Sequence, residues 1–326
     1  MGDRNVDLEA AVQAVRAAAH ACRAVQQRLA EPESLEKADK SPVTVADFAS
    51  QAIVCASLQA RLPGDRVVGE ESARALRKGP QEDLRAAVVA TVRGQLKRDV
   101  DAEQVLVWID LGAAEASGER FWTLDPIDGT KGFLRGEQYA VALGLIEGGE
   151  VVLGVLGCPN LPFQGGVGAL FSAVRGEPAR ECSLWEVAGP ERRISVSDVT
   201  RAAEARFCES VESAHSDQDE SARIAEALGI RKEPYRIDSQ CKYAAVARAD
   251  ASIYLRMPTR PDYHEKIWDH AAGKLIVESA GGRVTDAEGR PLDFTRGRTL
   301  VGNEGVVATN GAIHDEVIDA VRRARG

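Results

Sequence analysis

No stretch of the chain approaches the roughly 18 uninterrupted apolar residues of a membrane span. The opening Met1-Gly2-Asp3-Arg4-Asn5 also lacks the apolar core of a secretion signal, so neither an anchored nor an exported chain is expected. Gly2 does not begin a myristoylation signal, because Val6 stands where Ser or Thr is required. The six cysteines, at 22, 55, 158, 182, 208 and 241, form no C-x-x-C pair and no zinc-finger spacing, and the expectation is reduced thiols in the cytoplasm. Excess positive charge is missing too: 41 Lys and Arg against 50 Asp and Glu leave a net charge of −9, which argues against a broad nucleic-acid groove. The glycine-rich stretches Gly148-Gly149 and 165–168 lack the Lys-Ser or Lys-Thr ending of a P-loop and read as hairpins or loops. Internal repeats and low-complexity tracts are absent.

What is present suits a folded α/β protein. The 326 residues are 44% apolar and 28% charged, with 30 glycines and 13 prolines, enough to bury a substantial core. Apolar residues at helical spacing predict a helix over 6–29 and a second from Thr44 to Pro63. Val67-Val68 and 121–124 have strand character, and Pro126 is expected to interrupt the latter. The runs 139–146 and 151–156, joined by Glu147-Gly148-Gly149-Glu150, predict a hairpin. Residues 73–118 are helix-prone without a clear order, and 158–162 reads as a boundary. Further strands are expected at 169–174, 192–196, 251–255 and 298–301, with helices at 221–228, 268–279 and 313–323. The economical organisation is two subdomains, 1–160 and 161–326. His20 and His314 are expected at the surface of helices.

Acidic residues recur beside Gly, Thr or Pro at strand ends and helix starts. In Asp125-Pro126-Ile127-Asp128-Gly129-Thr130, two carboxylates flank the Ile127 carbonyl, Gly129 permits a tight turn and Thr130 is placed to start a helix. Oxygen ligands of this kind suit Mg²⁺, although an Asx-turn with a helix cap fits the hexapeptide as well. Gly69-Glu70-Glu71-Ser72 follows a short strand and, alone, reads as a solvated acidic turn. Trp268-Asp269-His270 opens a helix on which Asp269 is either a plain cap or a ligand at the positive end. Thr44-Val45-Ala46-Asp47 has capping-box spacing. Together, four carboxylate-bearing termini can hold cations and a phosphate, the backbone amides binding its oxygens.

These segments resemble a known family. Asp125 to Thr130 with its continuation Lys131-Gly132-Phe133-Leu134-Arg135-Gly136-Glu137-Gln138, together with Gly69-Glu70-Glu71-Ser72 and Trp268-Asp269-His270-Ala271-Ala272-Gly273, is similar to the magnesium-dependent, lithium-sensitive phosphomonoesterases of the inositol monophosphatase superfamily. The continuation after Thr130 resembles the bisphosphate nucleotidase branch rather than the Thr-Asn-Phe of inositol monophosphatases. The segments 40–47, 157–161, 265–267 and 291–294 resemble the same branch. The likeness extends over about residues 36–309.

The resemblance implies a layered αβαβα sandwich in which Glu70, Asp125, Asp128, Asp269 and the Ile127 carbonyl bind two or three Mg²⁺ ions, while Asp47 and Thr130 position and deprotonate water. It implies hydrolysis of the 3′-phosphate of adenosine 3′,5′-bisphosphate to AMP, action on the related phosphosulfate, inhibition by Li⁺, and nucleotide contacts from His215, Ser239, Lys242 and Arg256. The expected partner is this small nucleotide, with no nucleic acid or membrane. The loop after His215 departs from the family pattern, reading Ser216-Asp217 where relatives carry another Ser-His. Two alternatives stand beside this reading: an inositol phosphate 1-phosphatase of the same superfamily, and a silent cation- or nucleotide-binding protein.

Overall fold

The computed structural model describes residues 4–29, 41–78, 81–211, 218–258, 260 and 263–325. Among these, the strands form two sheets. The first runs in the order β1 (Arg66–Gly69), β2 (Arg120–Asp128), β3 (Ala140–Glu147), β4 (Glu150–Phe163), β5 (Gly166–Val174), β6 (Arg180–Ser183) and β7 (Arg192–Arg193). β1 is parallel to β2 and the later pairs are antiparallel. The two-residue period of these strands sends Trp122, Leu124, Val141, Leu143 and Leu145 to one face. That face is covered by α1 (Arg4–Leu29) and α2 (Ser41–Arg61), and α3 (Glu82–Leu96) and α4 (Ala102–Asp110) pack on α2. α2 is apolar and long enough to cross a membrane by composition, yet its apolar positions Ala49, Ile53 and Leu58 are buried in this layer.

The alternate residues, among them Phe121, Ala140, Ala142 and Leu156, face α7 (Cys241–Ala247) and α8 (Ala271–Ser279). These two helices are in turn covered by the second sheet, whose strands β8 (Phe207–Glu209), β9 (Tyr235–Arg236), β10 (Ile253–Arg256), β11 (Arg283–Thr285) and β12 (Val306–Thr309) lie in the order 11-12-10-8-9. Its outer face, Phe207, Ile253, Leu255 and Val307, is closed by α6 (Gln218–Ala227) and α9 (His314–Arg325). The result is the expected five-layer αβαβα sandwich, with the short α5 (Thr130–Leu134) following β2. α8 lies unusually close to the first sheet: a Cβ on Gly154 would meet the Ala272 carbonyl oxygen at 2.8 Å. That approach carries the start of α8 over the middle of the sheet, toward the end of β2.

Several expectations change. β2 continues through Pro126, because the register shifts between Asp125 and Asp128 and frees this stretch from regular pairing. The carbonyl of Pro126 instead accepts a hydrogen bond from Ser50 Oγ at 2.8 Å. β4 likewise runs through 158–162, where a further register shift absorbs Pro159, so residue 160 lies inside a strand and the change of sheet falls between β7 and β8. Residues 268–279 are not one helix: a 3₁₀ turn at Ile267–Asp269 precedes α8, whose cap position is His270. α2 begins at Ser41, before Thr44, so Thr44 is not the cap of a box. Residues 298–301 contribute an isolated bridge at Thr299, and the strand expected at 192–196 shortens to two residues. The unordered 73–118 region contains α3 and α4. His314 is fully buried between Thr285 and Thr309 rather than at a helix surface.

Candidate active site

The bulged end of β2 delivers Asp125, 3% exposed, and Asp128 to the floor of a cavity of about 380 Å³. Glu70, just past β1, and Asp269, at the end of the 3₁₀ turn, line the same cavity. So do Ile127, Thr130, Ser239, Lys242 and Arg256. Segments far apart in sequence therefore converge. Asp47, on α2, stands behind them, close enough that Glu70 and Glu71 act on its charge. His215 lies outside the described residues. Gly129 makes the turn out of β2 at φ +90°, and a Cβ there would come within 2.8 Å of the Ser239 Cβ, so the two halves of the cavity touch at this point.

Electrostatics mark the carboxylates as mutually uncomfortable. Burial, followed by Glu70, Asp128, Asp269 and Asp47, pushes Asp125 well above the usual aspartate range. Withdrawal from water, then Asp269, Glu71 and Asp128, raises Glu70 to about 8, with Lys266 opposing. Asp269 is lifted to about 6 by burial, against the pull of Arg256 and His270. Burial also raises Asp47, helped by Glu71 and Glu70. The buried Asp125 Oδ1 has no hydrogen-bond partner among the described residues. An orphaned buried carboxylate oxygen among crowded acids is what a hard cation would satisfy. The residues present thus fit a divalent ion held by oxygen ligands. A second acidic group, Glu265, Asp269 and His270, is compact but occupied otherwise: Glu265 accepts from Arg256 Nε at 2.8 Å, and His270 spans Glu265 at 3.1 Å and Tyr243 Oη at 2.7 Å.

The cavity is also lined by cations. Lys242 is 4% exposed in the first turn of α7, above the Tyr254 ring at 5.3 Å, and burial lowers its pKa. Arg256, at the end of β10, is oriented by Glu265 and lies 3.5 Å from Asp269 Oδ2. Arg256 in turn draws Glu265 down to about 2 although burial opposes it. Ser239 adopts φ +66°, a left-handed conformation that a serine rarely takes, and this points the turn before α7 into the cavity. Sequence reasoning missed four contributors to the lining: Lys131, Ser210 and Asp238, and the backbone of Gly132. It also missed Gln240, whose N–H donates to Asp128 Oδ2 at 2.5 Å and whose side chain donates to the Trp268 carbonyl at 2.9 Å and accepts from Gly273 N at 3.2 Å. Gln240 therefore ties β2, α7 and the start of α8 together. Its place directly after Ser239 was the one available signal.

A five-layer sandwich with carboxylates from β1, β2 and the start of α8 around one cavity places the chain in a class of phosphatases: it belongs to the inositol monophosphatase family, whose description matches residues 4–325. Among solved structures, an inositol monophosphatase from Zymomonas mobilis superposes with a TM-score of 0.65 at 20% identity, over 99% of this chain and 100% of that one. An IMPase from Thermotoga maritima gives 0.62 at 20%, over 98% of both. At these identities the likeness concerns the fold. The sequence relatives are nearer. A 3′(2′),5′-bisphosphate nucleotidase from Oryza sativa is 45% identical over 339 residues, covering 98% of this chain and 94% of the relative. One from Emericella nidulans is 44% identical over 319 residues, covering 89% and 90%.

Proposed function

We propose that the chain is a 3′(2′),5′-bisphosphate nucleotidase that removes the 3′-phosphate of adenosine 3′,5′-bisphosphate, giving AMP and inorganic phosphate. The observation that carries this is that one cavity is lined both by the carboxylates Glu70, Asp125, Asp128 and Asp269 and by the cations Lys242 and Arg256. A substrate with two phosphates meets both. The names of the relatives support the same reading.

Glu70, Asp125, Asp128, Asp269 and the Ile127 carbonyl would hold Mg²⁺, which when bound neutralises phosphate charge and lowers the pKa of water. Asp47, made more basic by burial and its acidic neighbours, takes the proton of the attacking water, and the Thr130 hydroxyl at the head of α5 orients that water. The water oxygen bonds to phosphorus as the bond from phosphorus to the 3′-oxygen breaks, and the leaving oxygen takes a proton from solvent water. Lys242 contributes a point charge to the second phosphate and Arg256 a planar fork, with Ser239 beside them. His215 is assigned to the nucleotide on sequence resemblance. Inhibition by Li⁺ and activity on the phosphosulfate relative belong to the same reading, and six free buried thiols suit a reducing cytoplasm.

Phosphate release from adenosine 3′,5′-bisphosphate, inositol 1,4-bisphosphate and inositol 1-phosphate at matched concentration, with Mg²⁺, with Mg²⁺ plus Li⁺, and with chelator, tests it. The adenosine substrate should be preferred, with activity lost to chelator and to Li⁺. Preference for an inositol phosphate, or no turnover of any substrate, would overturn it.

A further inference from the structure

Gln51 is fully buried on α2, one helical turn after Asp47 and on the same face. Its side-chain amide grips the residue after Glu70 at both backbone atoms. Oε1 accepts from Glu71 N at 3.0 Å, and Nε2 donates to Glu71 O at 2.7 Å. Nε2 also donates to Ile109 O at 2.7 Å, tying in the end of α4. Holding the N–H and C=O of one residue is how a neighbouring strand pairs, and here a side chain does it just where β1 has ended. Space is reserved for this amide on both sides. A Cβ on Gly69 would come within 2.4 Å of Gln51 Oε1, and one on Gly112 within 2.4 Å of Nε2. Neither glycine has positive φ, so their backbone conformation does not demand glycine; the amide between them does.

The segment so held carries a carboxylate that its neighbours repel: Asp269, Glu71 and Asp128 all act against the Glu70 charge. Left to a free turn, Glu70 would relax away from the cavity toward water. We infer that Gln51 is a positioning residue for divalent-cation binding, clamping the 70–71 segment to α2 so that Glu70 stays at the cavity rim and keeps a fixed relation to Asp47. This rests on the assignment of Glu70 as a cation ligand above.

The test is direct Mn²⁺ binding, by electron paramagnetic resonance of the free ion and by calorimetry, in the full chain without substrate. Gln51→Met keeps the volume and removes the three hydrogen bonds; Gly112→Ala leaves Gln51 in place but forces its amide aside, from a residue that does not line the cavity. Losing a group that holds a ligand in place typically weakens metal binding about 10- to 100-fold, and both variants should do so. Glu70→Gln is the reference for losing the ligand itself. A helix-packing role alone would lower the melting temperature and leave the Mn²⁺ titration unmoved, so thermal unfolding is recorded on each variant. If Gln51→Met does not fold, Gly112→Ala carries the same reading. Wild-type Mn²⁺ affinity in a folded Gln51→Met or Gly112→Ala, with Glu70→Gln impaired, would overturn the clamp and leave the active-site assignment standing. Wild-type affinity in Glu70→Gln as well would overturn both.

Discussion

His314 gives a stability test that can be worked through in numbers. It starts α9 and is enclosed between two threonines, with Nε2 3.0 Å from Thr285 Oγ1 and Nδ1 2.9 Å from Thr309 Oγ1. Thr285 Oγ1 already donates its proton to the Asp286 carbonyl at 2.9 Å, so it accepts from Nε2–H. Thr309 Oγ1 accepts from Gly311 N at 3.1 Å and donates to Nδ1. The hydroxyls thus assign the neutral Nε2–H tautomer. A proton added at Nδ1 would meet a donor in a fully buried site, beside Arg283. Burial first, and then Arg283, lowers the pKa from 6.5 to about 4. Between those values the unfolded chain binds more protons than the folded one, so stability rises with pH across the window and is lost as pH falls through it. The linkage amounts to about 2 kcal/mol by about pH 5 and about 3 kcal/mol at the acid limit. Gln in place of His can keep both hydrogen bonds and does not titrate. Urea unfolding of wild type and His314→Gln between about pH 5 and pH 7.5 isolates this group: the wild type should lose about 2 kcal/mol more than the variant over that range. Parallel curves for the two proteins would refute the assignment of a buried neutral imidazole.

Asp269→Asn should raise the melting temperature of chelator-treated protein by a few degrees, because it removes one charge from a self-repelling cluster, and should abolish the further rise on adding Mg²⁺; thermal unfolding with and without Mg²⁺ checks both halves. Asp47→Asn should cut turnover about 10²- to 10⁴-fold while retaining most Mn²⁺ binding, read from single-turnover phosphate release beside a binding titration. Lys242→Ala should raise KM for adenosine 3′,5′-bisphosphate about 10- to 100-fold, the usual worth of a charge-assisted contact, and leave a substrate with one phosphate unaffected. Equal loss on both substrates would move Lys242 out of the second-phosphate role.

Much of the fold was legible because binary patterning is local. The continuous apolar run 139–146 and the Gly148-Gly149 turn specify a hairpin without help from the rest of the chain, and both glycines adopt the positive φ expected of them. The errors came where tertiary contacts decide. Pro126 and Pro159 sit inside strands because register shifts release them from the ladder, and Ser50, 76 residues earlier, supplies the donor that the Pro126 carbonyl needs. His314 is polar by type but surrounded by hydroxyls from two other strands, which no helical pattern reveals. In the candidate site, the acidic residues stood out because Asp125 and Asp128 bracket a carbonyl and a glycine follows at once, all within six positions. Gln51 and Gln240 did not, since an amide that joins three segments leaves no motif in any one of them. Lys242 and Arg256 were legible by resemblance alone; what buries one and aims the other, the Tyr254 ring and the Glu265 carboxylate, emerges only in three dimensions.

The central claim, that carboxylates from β1, β2 and the start of α8 share cations, is settled most directly by Mn²⁺-soaked crystals read at the manganese absorption edge. Anomalous peaks should fall in the cavity, in bonding contact with Asp125 and with at least one of Glu70, Asp128 and Asp269. Peaks confined to Glu265 and His270, or a cavity without any anomalous signal at saturating Mn²⁺, would contradict it.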